Sequence, residues 1–311
     1  KASGDVEGYF DCYRLRAGRQ VYEPFHWRAF RFLKIVLKPC EKPVRLHRVR
    51  MRRCTYPGEV SARLEAPIAR LQELIEVSWR TVQLCSHDTQ DDCPYYEQLP
   101  YAGDLHLHGP IGMMMTGDPR LFERSIRMYG WSLRADGFIQ TRYPAREAQI
   151  IPAFALIWIQ TVEAYYWLSG RLELVRELWL AIRGILDWFQ RHECNERILV
   201  KPFPYWNFTD WSIPESPNAE NKAGNRASLM MFYIGALQAA ARLAEATGST
   251  HEAALWRERG EHLRSRVREK LWDGGQGLFA DDLDEPVMAT HQTVLAILYG
   301  VLPGSDAPRA L

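Results

Sequence analysis

The sequence lacks features that are typical of several protein classes, and each absence argues against one class before any motif is considered. It contains no run of about 18 uncharged apolar residues, so we expect no membrane-spanning helix. No charged segment followed by an apolar segment opens it, so no signal peptide is visible. Neither sign of charge is in excess, since 39 Lys and Arg stand against 38 Asp and Glu. This balance argues against a nucleic-acid partner bound through a basic surface.

Metal-binding patterns are also missing, because no Cys-x-x-Cys pair and no zinc-spaced histidine cluster occurs. His106 and His108 are two residues apart and point different ways on a helix, so we interpret them as structural or substrate-facing residues. We expect no metal and no other cofactor. The six cysteines are Cys12, Cys40, Cys54, Cys85, Cys93 and Cys194. Their scatter is typical of free thiols in a reducing compartment and favours the cytoplasm, although an even number leaves disulfides open. The first residue is Lys1 and not Met, which indicates an upstream or processed N-terminus and leaves the location open.

Apolar periodicity predicts a mainly helical chain from Ser61 onward. The expected helices span about residues 66–86, 105–115, 119–135, 151–168, 172–192, 225–247, 250–272 and 288–300. The helix of 225–247 is apolar nearly all round, whereas that of 250–272 is strongly charged and opens with a predicted capping box, Ser249 to Glu252. Such alternation is typical of helical hairpins stacked in a ring, with inner helices buried and outer helices solvated. An α-solenoid scaffold shows the same alternation, but the long aromatic-rich loops favour a ring that carries a site.

Residues 1–60 have a different pattern, which predicts β-strands. Residues 21–37 are rich in aromatic and β-branched side chains, and residues 44–51 show a second short strand pattern. This segment is too short to form a closed sandwich. We therefore interpret it as the C-terminal strands of a larger β-sandwich, or alternatively as a small β cap on the helices. The expected domains are 1–60 and 61–311.

One stretch, residues 92–104, concentrates chemistry between two predicted helices. It reads Asp-Cys-Pro-Tyr-Tyr-Glu-Gln-Leu-Pro-Tyr-Ala-Gly-Asp, with three carboxylates and three tyrosines. Its prolines and glycine prevent a continuous helix. Glycoside hydrolysis needs this mixture: an acid to protonate the leaving oxygen, carboxylates to hold sugar hydroxyls, and flat rings for the sugar face. A polar connector with ordinary capping aspartates is the alternative interpretation.

The same residues resemble the acid loop of the α-L-rhamnosidases of glycoside hydrolase family 78. The shared elements are Asp-Cys-Pro, a Glu five residues after that Asp, and Gly-Asp seven residues after the Glu. The resemblance implies that Glu97 is the general acid and that Asp92 and Asp104 bind the sugar. The family usually has Arg at the position of Tyr96 and Trp at that of Tyr101, and some members share the Tyr-Tyr-Glu-Gln form. Both tyrosines are expected to contact the substrate and to affect which sugar is accepted.

Two further loops suit sugar recognition. Residues 140–146 place Arg142 beside a Tyr-Pro corner, where a guanidinium can donate to hydroxyls or a carboxylate; a turn with a surface Arg is the alternative. Residues 204–211 hold four aromatics, an Asn and an Asp; a hydrophobic plug is the alternative, although a plug does not need the Asp. Both loops resemble segments of the same family. That resemblance implies pocket residues at Trp206, Asp210 and Trp211.

The resemblance covers residues 20–300 in consistent order and implies an (α/α)6 toroid. It implies an inverting glycosidase that removes terminal rhamnose or a similar sugar, with a carbohydrate as its partner and neither nucleic acid nor membrane. Another six-hairpin glycosidase, such as a glucosidase or glucuronyl hydrolase, stays open. So does a non-catalytic carbohydrate-binding scaffold, which would not need Glu97 as an acid. A terpene cyclase is excluded, because its Asp-Asp-x-x-Asp metal motif would need an acid three residues after Asp92, where Tyr95 stands.

The predicted helices are fewer than the twelve of a six-hairpin ring. An inverting enzyme also needs a second carboxylate as base. In the resembled family this base is a Glu near the end of the toroid, and no Thr-Trp-Glu-like segment follows Glu97 here. We therefore expect a catalytically incomplete sequence, to be completed within a longer protein or by another chain. Asp210, Glu147 and Glu215 are the internal acids that could overturn this expectation.

Overall fold

The computed structural model describes residues 8–38, 42–63, 68–194, 198–199, 205–209, 226–283 and 290–302. Its helices are α1 (Ala69–Leu84), α2 (Ala102–Thr116), α3 (Arg120–Trp131), α4 (Pro152–Ser169), α5 (Glu173–Glu177), α6 (Trp179–Arg191), α7 (Arg226–Thr247), α8 (Thr250–Leu271) and α9 (Thr290–Leu298). Two antiparallel pairs of short strands are present, β1 (Glu193–Cys194) with β2 (Ile198–Leu199) and β3 (Trp272–Asp273) with β4 (Leu278–Phe279). The mainly helical fold class is confirmed.

All eight predicted helices are present, with bounds close to those expected. The one division that the pattern did not predict occurs at Leu178, where the backbone has φ −90° and ψ 1°. This residue separates α5 from α6 within the predicted helix of 172–192. Gly117 and Gly170 end α2 and α4 in the left-handed region, both at φ 69°, as helix C-terminal glycines commonly do.

The capping box predicted at the start of α8 is wrong. Ser249 makes no side-chain hydrogen bond to the helix start. Glu252 instead accepts a hydrogen bond from Trp179 Nε1 at 3.2 Å and pairs with Arg183 at 3.1 Å. The carboxylate thus joins α8 to α6, and this tertiary contact replaces the local cap that the sequence motif suggested.

The helices form hairpins of one predominantly apolar helix and one amphipathic or charged helix. The apolar helices contact one another in order: α2 packs on α4, α4 on α7, and α7 on α9. The outer helix α3 contacts both α2 and α4, α6 contacts both α4 and α7, and α8 packs along α7. The described residues therefore show the inner and outer arrangement that the alternation predicts.

The inner helix α7 lies at the centre of the core. It contacts α4, α6, α8 and α9, and its apolar side chains are almost entirely shielded from water. Within the described part of the chain, Ala227–Thr247 is the one helical segment long and apolar enough to cross a membrane. Because 83% of this segment is buried inside the protein, its hydrophobicity is that of a core helix, as the sequence predicted.

The loops before the inner helices are joined at one end of the hairpins. At the start of α2, Ala102 N–H donates to the Thr141 carbonyl at 2.9 Å, in the loop before α4. In the first turn of α4, the Phe154 ring contacts that of Phe208, in the loop before α7, with centroids 6.0 Å apart.

The same end continues to α9, because Ala227 N–H, at the start of α7, donates to the Asp281 carbonyl at 2.8 Å in the loop before α9. The N-termini of the inner helices therefore lie on one side, where their free amides and positive dipole ends collect.

Residues 8–38 and 42–63 form no helix or strand. The strand patterns of residues 21–37 and 44–51 thus have no ladder in the structure, because a strand needs a neighbouring strand for its hydrogen bonds. The assignment of residues 1–60 to a β-sandwich stays a prediction. This segment contacts the chain just after α1 through Trp27, whose ring stacks on that of His87 with centroids 3.8 Å apart.

Gly109 of α2 provides a test of the packing between α2 and α3. A Cβ at this position would lie 2.1 Å from the Phe122 ring. Gly109→Ala should therefore destabilise the fold by about 1–3 kcal/mol through overpacking, as measured by urea unfolding. Gly112→Ala on the same helix is the control, since its Cβ would meet Gln90 Nε2 at an ordinary 3.6 Å. The control should be neutral or stabilising by up to about 1 kcal/mol, and equal losses would contradict the packing.

Candidate active site

The acid loop, residues 92–101, connects α1 to α2 and is closed on itself by hydrogen bonds. Asp92 N–H donates to the Leu99 carbonyl at 2.9 Å, and Leu99 N–H donates to the Asp92 carboxylate at 3.3 Å. Glu97 N–H is directed to Cys93 Sγ at 3.3 Å. Gln98 takes a left-handed backbone, φ 53°, which costs a side-chain-bearing residue about 1 kcal/mol. The loop is therefore a tight, specified turn and not an extended connector.

Glu97 lies on the exposed part of this turn. Its place between Tyr95, Tyr96 and Pro100 in the sequence predicts a buried carboxyl. This prediction is wrong, because Glu97 is exposed and Tyr96 is 79% exposed. The two tyrosine rings pack edge to face on each other, with centroids 5.0 Å apart. The carboxylate is accordingly open to a ligand from solvent.

The carboxylate that burial affects most is Asp104, in the first turn of α2. Desolvation raises its pKa to about 6, and the negative charges of Asp92 and Glu97 act in the same direction. Burial also raises the pKa of Asp92, against hydrogen bonds from Cys93 and Leu99 that lower it. The structure thus brings together the three acids that the resemblance assigned to the sugar site, as a cluster whose charges interact.

Arg142 lies against the acid loop from the loop before α4. It forms an isolated β-bridge with Tyr101, and its Nη1 lies 3.4 Å from the Tyr101 hydroxyl. The same hydroxyl donates to Glu97 Oε2 at 2.5 Å. Burial raises the pKa of Tyr101 to about 12; the hydrogen bond to Glu97 adds to this rise and Arg142 opposes it. Tyr101 is therefore a neutral phenol at any physiological pH.

A row of aromatic rings joins the acid loop to the loop before α7. Tyr101 contacts Phe154 edge to face with centroids 6.3 Å apart, and Phe154 contacts Phe208. Trp206 continues the row, 4.7 Å from Phe208, and is half-buried. Trp206 therefore belongs to the same end of the molecule as the acid loop.

Two of the predicted pocket residues, Asp210 and Trp211, lie outside the described residues. We predict that Asp210 lies within about 15 Å of Glu97, because an ordinary monosaccharide pocket spans no more than that. Glu215, one candidate for the base, also lies outside them, whereas Glu147 is exposed before α4. Among the described residues, no cluster of three His, Cys, Asp or Glu side chains could hold a metal ion.

Comparison with known proteins decides the family. The family model for the bacterial alpha-L-rhamnosidase 6 hairpin glycosidase domain matches residues 61–310. The chain belongs to this family. The resemblance drawn from the acid loop is thereby confirmed. No curated protein sequence matches the chain.

Solved rhamnosidases have the same fold as this six-hairpin glycosidase domain. The GH78 rhamnosidase of Bacillus sp. GL1 aligns with a TM-score of 0.74 and 25% identity, over 82% of this chain and 27% of that one. The rhamnosidase from Klebsiella oxytoca with rhamnose bound gives 0.70 and 20%, over 79% and 47%. The Streptomyces avermitilis α-L-rhamnosidase complexed with L-rhamnose gives 0.65 and 16%, over 82% and 23%. The chain thus spans less than half the length of each.

The sequence did not point to Phe154 as part of this glycosidase domain's site. Phe154 connects the acid loop to Trp206, and it can approach because Gly103 has no side chain. A Cβ on Gly103 would lie 2.8 Å from the Phe154 ring. In the sequence, Gly103 belongs to the Gly-Asp motif, and the absence of its side chain is the one signal there for a ring packed against it.

A second group that the sequence did not indicate lies directly before the acid loop. His87 Nδ1 lies 3.4 Å from the Asp91 carboxylate, which also accepts a hydrogen bond from Thr89 Oγ1 at 2.7 Å. Both His87 and Asp91 are buried. Their spacing of four residues and their position directly before the acid loop were the available signals.

Because the pKa of Asp104 is raised, replacing it with a neutral residue should stabilise the fold, and the effect should depend on pH. The stability contributed by the protonated carboxyl is fully present below the ordinary pKa of 3.8 and is lost as the pH rises through about 6. Asp104→Asn stays neutral and should raise the free energy of unfolding at pH 7.5 by about 1–2 kcal/mol, after allowance for partial exposure. Urea unfolding near pH 4 should show little difference from wild type.

Asp118→Asn is the matched control with the opposite sign. The hydrogen bond from Arg120 holds the pKa of Asp118 well below its usual range, against burial, with further help from Tyr56. Its stability contribution is present above the ordinary pKa and is lost as the pH falls. The substitution should destabilise the protein at pH 7.5 and matter less toward acid pH. If both substitutions raised the free energy of unfolding at pH 7.5, the opposite pKa shifts of Asp104 and Asp118 would be contradicted.

Proposed function

We propose that this domain binds the terminal sugar of a rhamnoside, or of a similar glycoside, and protonates the leaving oxygen in an inverting hydrolysis. The observation that carries the proposal is an open Glu97 carboxylate beside Asp92 and Asp104, on the side where the inner helices begin. The family of the domain supports a glycosidase, and the rhamnose in two structural neighbours supports the sugar.

Each group of the cluster has a distinct role in this proposal. Glu97 donates its proton to the glycosidic oxygen as the bond to the anomeric carbon breaks. Asp92 and Asp104 accept hydrogen bonds from sugar hydroxyls, and when ionised they stabilise the positive charge that develops on the sugar ring. Trp206 offers a ring for the apolar sugar face.

We assign the other substrate-binding roles from the family resemblance of the sequence and from the exposure of side chains near Glu97. Tyr96 is exposed beside Glu97 and can meet the sugar with its hydroxyl or its ring. Asp210 and Trp211 complete the pocket. The base of an inverting enzyme activates a water on the opposite sugar face, about 6.5–9.5 Å from the acid, and we assign no described residue to that role.

A non-catalytic carbohydrate-binding domain is the second candidate. The observation in its favour is the exposure of Glu97, because a general acid is commonly kept protonated by burial. Both candidates predict binding of the sugar, but only the first predicts that the chemistry depends on Glu97.

Glu97→Gln separates the two candidates. In the full-length protein, it should lower turnover of alkyl glycosides by about two orders of magnitude or more, because the alkoxide leaving group needs a proton. Nitrophenyl glycosides should lose much less, since nitrophenolate leaves without one. Glu173→Gln, at an exposed position of α5, is the control and should leave both rates unchanged. Rhamnose binding without turnover in the wild type, measured by calorimetry, would support the second candidate.

Tyr96→Arg tests whether this position reads the sugar. A charged fork in place of a phenol should change the ranking of rhamnosides against other nitrophenyl glycosides by about tenfold in kcat/KM. Tyr96→Phe removes only the hydroxyl and should show whether the ring alone suffices. An unchanged ranking in both variants would mean that position 96 does not contact the glycone.

A further inference from the structure

The Tyr101 hydroxyl contacts both Arg142 and the acid, although the sequence assigned Tyr101 and Arg142 to the substrate. The Tyr101 hydroxyl lies 2.5 Å from Glu97 Oε2 and 3.4 Å from Arg142 Nη1. The Arg142 guanidinium carbon also lies 5.9 Å from the Tyr101 ring centroid. The three side chains therefore form one chain of contacts that ends on Glu97.

Hydrogen-bond chemistry fixes the direction of this chain. A guanidinium has donors only, so the Tyr101 oxygen must accept from Arg142. The single hydroxyl hydrogen of Tyr101 is then available to Glu97, whose carboxyl oxygen accepts it. Because burial raises the pKa of Tyr101 to about 12, the hydroxyl keeps this hydrogen throughout the physiological range.

Tyr101 is held far more firmly than Glu97. Its backbone is bridged to Arg142, and Ala102 N–H donates to Thr141 in the same pairing. Its ring packs edge to face on Phe154, the residue for which the neighbouring glycine leaves space. Glu97, in contrast, is an exposed residue with three side-chain torsions. A hydrogen bond from a fixed phenol restricts the rotamers that its carboxyl can occupy.

Building on the proposed function, we propose that Tyr101 is a positioning residue for the general acid and that Arg142 acts through it. Tyr101 donates to Glu97 Oε2, which leaves the acidic proton on Oε1. That proton passes to the glycosidic oxygen as the bond from this oxygen to the anomeric carbon breaks, and the bonding pair stays on the oxygen.

The same hydrogen bond becomes stronger during the step. Glu97 changes from a neutral carboxylic acid to a carboxylate, and a hydrogen bond to an ionised acceptor is about twice as strong as one to a neutral acceptor. The contact therefore favours the transition state over the bound substrate, which lowers the barrier rather than KM. Position 101 is also one of the two at which the acid loop departs from the usual family pattern.

The test is a double-mutant cycle on two classes of substrate with the full-length protein. Tyr101→Phe removes one oxygen atom and should lower kcat on alkyl glycosides about 10- to 100-fold, with KM changed less than about threefold. Nitrophenyl glycosides should lose much less. Arg142→Met should give a smaller loss of the same kind, and it should add nothing in the Tyr101→Phe background.

Arg142→Lys is the second variant, since it keeps a donor and should restore part of the rate if Arg142→Met is impaired. A rise in KM on both substrate classes with unchanged kcat would assign Tyr101 to the sugar and overturn the inference. Additive losses in the double variant would overturn the role of Arg142. Glu97→Gln serves as the reference: if its loss is equal on both substrate classes, the proposed function itself fails. If Glu97→Gln depends on the leaving group and Tyr101→Phe does not, only the inference fails.

Discussion

The close approach of α2 to the first turn of α4 is the contact on which the candidate site depends. Gly103 lacks a side chain, so the Phe154 ring approaches to 2.8 Å from the position that a Cβ would occupy. The approach lets the backbone of residues 101–102 pair with residues 141–142. One end of the acid loop is thereby fixed to two helices, and only a short turn around Glu97 projects into solvent. A site built on such rigid supports holds its polar groups more accurately than a free loop could.

The same contact brings together groups that repel one another. Three carboxylates lie close together at the start of α2, and the charges of Asp92 and Glu97 add to the effect of desolvation on Asp104. The positive end of the α2 dipole offsets part of this cost. Burial of the large apolar core around α7 stabilises the fold enough to offset the unfavourable free energy of this cluster. Local unfavourable electrostatics sustained by a well-packed frame is typical of functional sites.

The sequence predicted the helices because their signal is local. An apolar stripe indicates the buried face of a helix whatever that helix packs against. The presence of each helix and its approximate bounds therefore followed from periodicity alone. The break at Leu178 and the use of Glu252 depend on neighbouring helices, and no local motif reports them. Strands in residues 21–37 and 44–51 have the same limitation, since a strand depends on a partner that the pattern does not contain.

The three acids of the candidate site could be predicted from the sequence, whereas their geometry could not. The acid-loop motif brought Asp92, Glu97 and Asp104 together through resemblance, and the structure places them in one interacting cluster. Composition suggested that aromatic neighbours would bury Glu97, but composition does not report which way a ring points in a turn. The contact of Tyr101 with Glu97 depends on the path from α1 to α2 and on a pairing across forty residues of sequence with Arg142.

The acids of this cluster differ in burial, and this difference suits different roles in binding and in proton transfer. Asp104 is the desolvated carboxyl, fixed on the first turn of a helix, whereas Glu97 stands in water and is held by one phenol. A sugar bound on Asp92 and Asp104 would cover Glu97 and exclude water from it, which supplies the dry setting that a general acid needs. In such an arrangement the substrate completes the site, and the acid is set for proton transfer when the leaving oxygen is in place. The exposure of Glu97 is therefore compatible with a role as general acid whose orientation Tyr101 fixes before the sugar binds.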